Sequence, residues 1–137
     1  MTDSLKAAMF VSASGMRAQG FRLKIVAQNI ANVASTADSP GGDPFRRKVT
    51  RFENVLDREL NARIVKAEKV FEDRSEFGIK HDPKHPAADE KGIVKLPNVN
   101  TLVEMMDMRE AQRSYEANLS MIETSKSMMS RTIGLLR

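Results

Sequence analysis

The 137-residue chain contains no cysteine and no tryptophan, and its single tyrosine is Tyr115. Without cysteine there is neither a disulfide nor a Cys-ligated zinc, and the chain tolerates reducing and oxidising compartments alike. Aromatic residues make up only 5% of the sequence, so a core built on large rings is excluded. Packing must rest instead on aliphatic and methionine side chains along helices. No run approaches the roughly 20 apolar residues of a membrane helix. The longest apolar run near the start, Ala7 to Val11, is too short for a secretory h-region, and no small-residue cleavage site follows it. The sequence therefore reads as a soluble chain without a cleaved signal. At 41% hydrophobic and 29% charged it lies close to the globular average, which excludes wholesale disorder.

What is present is unevenly distributed. Of the net charge of +4, residues 1–34 carry four basic and one acidic group, residues 35–100 thirteen and twelve, and residues 101–137 five and five. The excess sits on the first segment, where it suits an acidic partner or a solvated helix face.

Two long stripes mark the ends. Spacings of four and three pick out Leu5, Met9, Ser12, Met16, Gln19, Leu23, Val26, Ile30 and Val33 in the N-terminal segment. The same rule gives Met105, Met108, Gln112, Tyr115, Leu119, Ile122, Lys126, Met129, Ile133 and Leu136 in the C-terminal segment. Most of these are apolar, the pattern that keeps one face of a long helix against a partner. Thr101 followed by Glu104 has the form of a capping box, with Pro97 upstream, and Ser4 is a good N-cap for the first helix. That helix must end before the turn formers Ser39-Pro-Gly-Gly-Asp-Pro44. The stripes suit either a self-contained antiparallel hairpin or helices that neighbouring subunits cover. Among the polar side chains, Gln19, Asn29, Asn32 and Gln112 are candidates for polar contacts between subunits.

Residues 35–100 lose the helical period and hold all five prolines. Phe45 to Phe52 reads as a strand or extended arm, and Phe52, Val55, Leu56 and Leu60 as a helical turn or two. Ile64 to Phe71, Glu76 to Ile79 and Gly92 to Leu96 read as strands. The predicted fold is mainly α with a small β-rich insert. Residues 1–34 and 101–137 form two long helices packed as an antiparallel coiled-coil-like pair, a polymerising domain, and residues 35–100 a central module.

Chemistry-bearing constellations are weak. His81, Asp82, His85 and Asp89 cluster in sequence, but Pro83 and Pro86 forbid the helix on which an i, i+4 pair would share a metal. There is no Ser in a glycine-framed elbow and no Gly-rich phosphate loop, and carboxylate pairs such as Glu72-Asp73 sit among turn residues. No catalytic residue, cofactor or metal is expected. Arg46, Arg47, Lys48 and Arg51, flanked by Phe45 and Phe52, resemble a single-strand nucleic-acid patch. Glu53, Asp57 and Glu59 follow at once, so nucleic acid is not expected as a partner.

Certain stretches are familiar. Ser12-Ala-Ser-Gly-Met-Arg17 followed by Val26-Ala-Gln-Asn-Ile-Ala-Asn-Val33 resembles the N-terminal signature of flagellar axial proteins of the rod and hook. Gly41-Gly-Asp-Pro-Phe-Arg-Arg-Lys48 is similar to the GG-x-PYRRK segment of that family. His81-Asp-Pro-Lys-His-Pro, continuing to Gly92-Ile-Val-Lys-Leu-Pro-Asn-Val-Asn100, and Glu104 to Asn118 resemble its proximal-rod members. Phe45 and Ile93 stand where that family usually has Tyr, which keeps an apolar body and loses a hydroxyl. The resemblance implies a structural subunit of the basal-body rod. Such a subunit is exported uncleaved by the flagellar type III apparatus and assembled in the periplasm with its own copies and other rod subunits, transmitting torque from motor to hook. It implies no enzyme and no membrane span. The rival expectation is a helical adaptor or export chaperone that does not polymerise.

Overall fold

The structure, a computed structural model, describes residues 2–135. Helix α1 spans Thr2–Ala31 and α2 spans Thr101–Leu135. Between them lie six short strands: β1 (Lys48–Thr50), β2 (Glu53–Asp57), β3 (Ala62–Lys66), β4 (Val70–Glu72), β5 (Gly78–His81) and β6 (Ile93–Leu96). They pair two by two, β1 with β4, β2 with β3 and β5 with β6. The fold is mainly α with a small β insert, as the sequence predicts.

The helix ends differ in detail from the sequence reading. Helix α1 starts at Thr2, ahead of Ser4, and stops at Ala31. There Asn32 Nδ2 donates to the Gln28 carbonyl at 2.8 Å and Asn32 Oδ1 accepts from Ser35 Oγ at 3.0 Å. These bonds satisfy groups that the last turn would leave open. Val33 therefore lies just past the helix, not on its stripe. At α2 the cap is Asn100, whose Oδ1 accepts from the Leu102 and Val103 amides at 3.0 and 3.4 Å. Thr101 is already the first helical residue, and Glu104 points its carboxylate elsewhere, so the expected capping box does not form.

Two compact units divide the chain, and each takes part of both helices. One holds α1 as far as Leu23, Thr50–Lys69, and α2 from Arg109 onward. In it the helices run antiparallel. Arg22 reaches Glu110 at 3.6 Å, and a Cβ added at Gly15 would lie 2.9 Å from Asn118 Nδ2. The β2–β3 hairpin pairs Glu53 with Lys66 through Asp57 with Ala62. The helical turn read from Phe52, Val55, Leu56 and Leu60 is thus a strand and its bend. Asp57 Oδ1 accepts the amides of Glu59 and Leu60 at 3.0 and 3.2 Å, an Asx turn that reverses the chain before a helix can propagate. Ser14 fastens this hairpin to α1: its hydroxyl donates to the Val11 carbonyl at 2.7 Å and accepts from the Val65 amide at 3.1 Å.

The second unit comprises Lys24–Val49 and Val70–Met108. Its β5–β6 hairpin pairs Gly78 with Leu96 and His81 with Ile93. The loop between them is organised by Asp89, whose Oδ1 accepts from the Lys91 and Ile93 amides at 2.9 and 2.8 Å. Gly92 has φ 72°, and a Cβ there would meet Pro83 Cγ at 2.8 Å, so this turn admits only glycine. Among the described residues of both units, the buried apolar side chains are Ala18, Ile25, Val26, Ala67, Ala87, Val94 and Ala111. Four of the seven are alanine, which is the ring-poor core that the composition requires.

Candidate assembly site

The best-connected polar group of the second unit is the Arg47 guanidinium. Its Nε donates to Glu104 Oε1 at 2.5 Å, Nη1 faces Asp73 Oδ2 and Nη2 faces Asp107 Oδ2, each at 3.5 Å. The Glu104 carboxylate is entirely buried, and its other oxygen accepts from Asn29 Nδ2 at 3.0 Å. Asn29, 1% exposed, also clasps the backbone of Lys48: Nδ2 donates to the Lys48 carbonyl at 2.7 Å and Oδ1 accepts from the Lys48 amide at 2.9 Å. Asn98 completes the clamp, accepting from the Arg47 amide at 2.7 Å and donating to the Asp73 carbonyl at 2.9 Å. Burial by itself would lower the Arg47 pKa, but the bond and charge of Glu104, followed by those of Asp73, outweigh it and leave the pKa raised. The Asp73 carboxyl is held below its ordinary value, first by the amide and hydroxyl of Ser75 and then by Arg47.

The clamp accounts for the basic cluster. Arg47 is spent internally, and Arg46 stacks on Phe77 at 4.2 Å while donating to the Asp73 carbonyl at 3.2 Å. Lys48 lies 5.8 Å from the Phe45 ring. Ring and charge neighbour one another here to close the fold. In the His81–Asp89 loop, His85 Nδ1 accepts from the Ala87 amide at 3.1 Å, so this side chain, like Asp89, serves the turn. Among the described residues no group of three His, Asp or Glu is arranged to hold a metal.

The helix faces carry the remaining candidates. On α1, Val26 is buried, and Leu5, Met9, Met16, Gln19, Leu23 and Ile30 are half-buried, as is Val33 beyond the helix end. On α2, Met108, Ile122 and Met129 are half-buried, whereas Met105, Gln112, Tyr115, Leu119 and Ile133 are exposed. Leu136 lies outside the described residues. The side chains that α2 buries are Glu104, Ala111 and Ser125, with Asn118 half-buried on the same row. This row stands one residue ahead of the stripe Met105, Gln112, Leu119 and Lys126. Helix α2 thus buries a charged, small and polar row, and its apolar stripe is only partly covered, with Ile122 and Met129 beside Met9 and Ala13 of α1. Asn29 and Asn32, read as candidates for contacts between subunits, make their hydrogen bonds inside the chain. Gln19 Oε1 is buried with no hydrogen-bond partner among the described residues.

A second exposed row runs along the other flank of α2: Val103, Met106, Met121, Met128 and Leu135. At 100° per residue it lies well away from Leu119, with the buried row between the two. Met106, Met121 and Met128 are 64%, 53% and 54% exposed.

Residues 90–135 match a family described as "Flagellar basal body rod FlgEFG protein C-terminal". The flagellar basal-body rod protein FlgC of Agrobacterium fabrum is 49% identical over 135 residues, covering 98% of this chain and 97% of that protein. FlgC of Borreliella burgdorferi is 37% identical and covers 93% and 94%, and FlgC of Escherichia coli is 37% identical and covers 91% and 92%. The chain belongs to the FlgC family of flagellar basal-body rod proteins. It is accordingly a structural subunit of the flagellar basal body.

Within this FlgC-family chain the familiar motifs acquire physical work. The segment from Gly41 to Lys48 delivers Arg47 to the clamp, and the segment ending Pro97-Asn-Val-Asn100 delivers Asn98 to the clamp and Asn100 to the α2 cap. Sequence reasoning missed the second α2 row. Its signal was present in the seven-residue recurrence of Met121, Met128 and Leu135, but it was masked by the stronger stripe beside it.

Proposed function

We propose that the chain joins the rod by laying the exposed apolar flanks of α2 against the terminal helices of neighbouring subunits. The carrying observation is that Met105, Leu119, Met121 and Met128 of α2 stand in solvent while the same helix buries Glu104, Ala111 and Ser125. Such apolar area gains about 25 cal/mol per Å² when covered. In this reading residues 1–34 and 101–137 are the polymerising domain and residues 35–100 a central module. Met105, Leu119 and Ile133 are contacts between subunits, as are the outward parts of Tyr115 and Gln112. The chain is a load-bearing element that transmits torque and catalyses nothing. It reaches its site through the flagellar type III export apparatus. Its relatives are named for the basal-body rod, and among the described residues no helix is long and apolar enough to cross a membrane.

The test is electron microscopy of basal bodies from a strain lacking the chain. Rings without rod, hook or filament, restored by the wild-type chain and not by Leu119→Asp, are expected. Complete basal bodies in the deletion strain would overturn the reading.

A further inference from the structure

The sulfur chemistry of this chain falls entirely on methionine. The sequence has nine methionines and neither cysteine nor tryptophan, so the thioether is the side chain that takes up an oxygen atom most readily. Burial divides the described methionines in two. Met9, Met16, Met108 and Met129 are half-buried, whereas Met105, Met106, Met121 and Met128 are 47%, 64%, 53% and 54% exposed. The exposed four all stand on α2, Met105 and Met106 in the second unit and Met121 and Met128 in the first. The side chains that α2 buries, Glu104, Ala111 and Ser125, carry no sulfur, and the Arg47 clamp contains none. Oxidation of the exposed methionines therefore alters the outer faces of α2 and spares the contacts that hold the helix in the fold.

We propose that Met105, Met106, Met121 and Met128 are modification sites at which a peroxide forms sulfoxides, and that a free subunit so oxidised is kept out of the rod; the proposal rests on the assembly reading above and adds its regulation. In the reaction a sulfur lone pair attacks one peroxide oxygen. The S–O bond forms as the O–O bond breaks, the sulfur is oxidised by two electrons, and the second oxygen leaves as water with the proton of the first. The product is a polar S=O acceptor in place of an apolar, flexible side chain. In solvent, water satisfies that acceptor. Under a neighbouring subunit it needs a donor or it costs the full desolvation of an unpaired polar group. The free chain thus tolerates the change and the assembled one does not. Sulfoxide reductases reverse the reaction, so a rejected subunit is restored rather than lost.

Purified chain and isolated basal bodies are given the same dose of hydrogen peroxide, and the sulfoxides are located by mass spectrometry of the peptides. In the free chain the four exposed methionines are expected to oxidise several-fold faster than the half-buried ones, with helicity by circular dichroism unchanged. In basal bodies the same four should oxidise several-fold more slowly than in the free chain. Equal rates for exposed and half-buried methionines, or loss of helicity on oxidation, would overturn the proposal. Equal rates in free and assembled chain would also overturn it and leave the rod reading standing, whereas wild-type tagged chain absent from basal bodies would overturn both. A second arm combines Met105→Leu, Met106→Leu, Met121→Leu and Met128→Leu in one chain, which keeps the volumes and removes the sulfur. Another chain carries glutamine at the same four positions to imitate the polar sulfoxide. In a strain lacking the chain, sublethal peroxide is expected to cut entry of the wild-type chain into new basal bodies several-fold and to spare the leucine chain. The glutamine chain should fail to enter even without peroxide. Equal loss of the wild-type and leucine chains under peroxide, or normal entry of the glutamine chain, counts against the proposal.

Discussion

A single carboxylate shows how far burial changes the worth of a charge. Glu104 is wholly enclosed and holds both Arg47 and Asn29, whereas Glu53 is half exposed beside the largely exposed Lys69. Removing one partner from a buried pair strands the other, at a cost of about 3–5 kcal/mol, while an exposed pair contributes about 0–1 kcal/mol. Glu104→Ala is therefore expected to destabilise the chain by about 3 kcal/mol, because Arg47 keeps Asp73, Asp107 and some solvent. Glu53→Ala should cost under about 1 kcal/mol. Urea unfolding of the two variants measures the contrast, and equal losses would mean that the clamp is not a buried unit.

Asp73 gives the pH counterpart. Its folded pKa lies below the ordinary 3.8, so at pH values between the two the unfolded chain binds the extra proton. Its contribution is complete above the ordinary value and is lost as pH falls through the folded one. In Asp73→Asn the acid side of the stability curve should flatten below about pH 4, with little change in slope near neutrality. Arg47, its pKa raised by Glu104 and Asp73, keeps its contribution at all lower pH and loses it only as pH rises through the folded value, so it adds nothing to the acid limb.

At the scale of the element, α1 and α2 touch at Gly15, where Asn118 fills the place of a side chain. Gly15→Ala gains roughly 1 kcal/mol of helix propensity. It also pushes Asn118 off the Ser114 carbonyl, to which Nδ2 donates at 2.9 Å. These effects oppose one another, so the single substitution should be nearly neutral. In an Asn118→Ala background the same change should stabilise by about 0.5–1 kcal/mol. A thermal-denaturation cycle of the four chains reads the coupling, and strict additivity would deny the contact. The hairpins show the same dependence on short segments. Asp57, Asp89 and Gly92 sit in bends where backbone groups must be satisfied locally, and once these bends form, the paired strands need few buried residues of their own.

For the molecule as a whole, the proposed packing assigns stability and assembly to different faces of the same helix. Leu119 and Met121 lie on separate flanks, 41% and 53% exposed. Leu119→Asp or Met121→Asp should leave the isolated chain within about 0.5 kcal/mol of wild type, as is usual for surface changes. On the proposed packing the same charges would be buried without partners in the rod, at several kcal/mol per ion, so both variants should be absent from basal bodies. Loss of folding in solution, seen by circular dichroism, would place these residues in the monomer's own core instead.

Much of this was legible in the chain itself. Two long helices follow from the 3.5-residue recurrence between Leu5 and Ile30 and between Met105 and Ile133, because that period has no other stable outcome at such length. The strand at 93–96 and the ring-poor core follow from local chemistry and composition, whereas the strand read at 76–79 lies at 78–81 and the one read at 64–71 is broken into 62–66 and 70–72. The family follows from motifs spread over nearly the whole sequence. Periodicity, however, shows only that a face is apolar and not which neighbour covers it. The face that α2 turns toward α1 was decided by Gly15, which permits close approach, and by Arg47, which draws Glu104 inward from a distant loop. Both are long-range effects with no local sequence signal. The same holds for Asn29, whose burial depends on the backbone of Lys48 arriving beside it. Sequence by itself determined that the chain builds long amphipathic helices. Tertiary structure decided which side chains of those helices are buried and which are exposed, because the burial of Glu104 and Asn29 depends on Arg47 and Lys48 arriving from a distant segment of the chain.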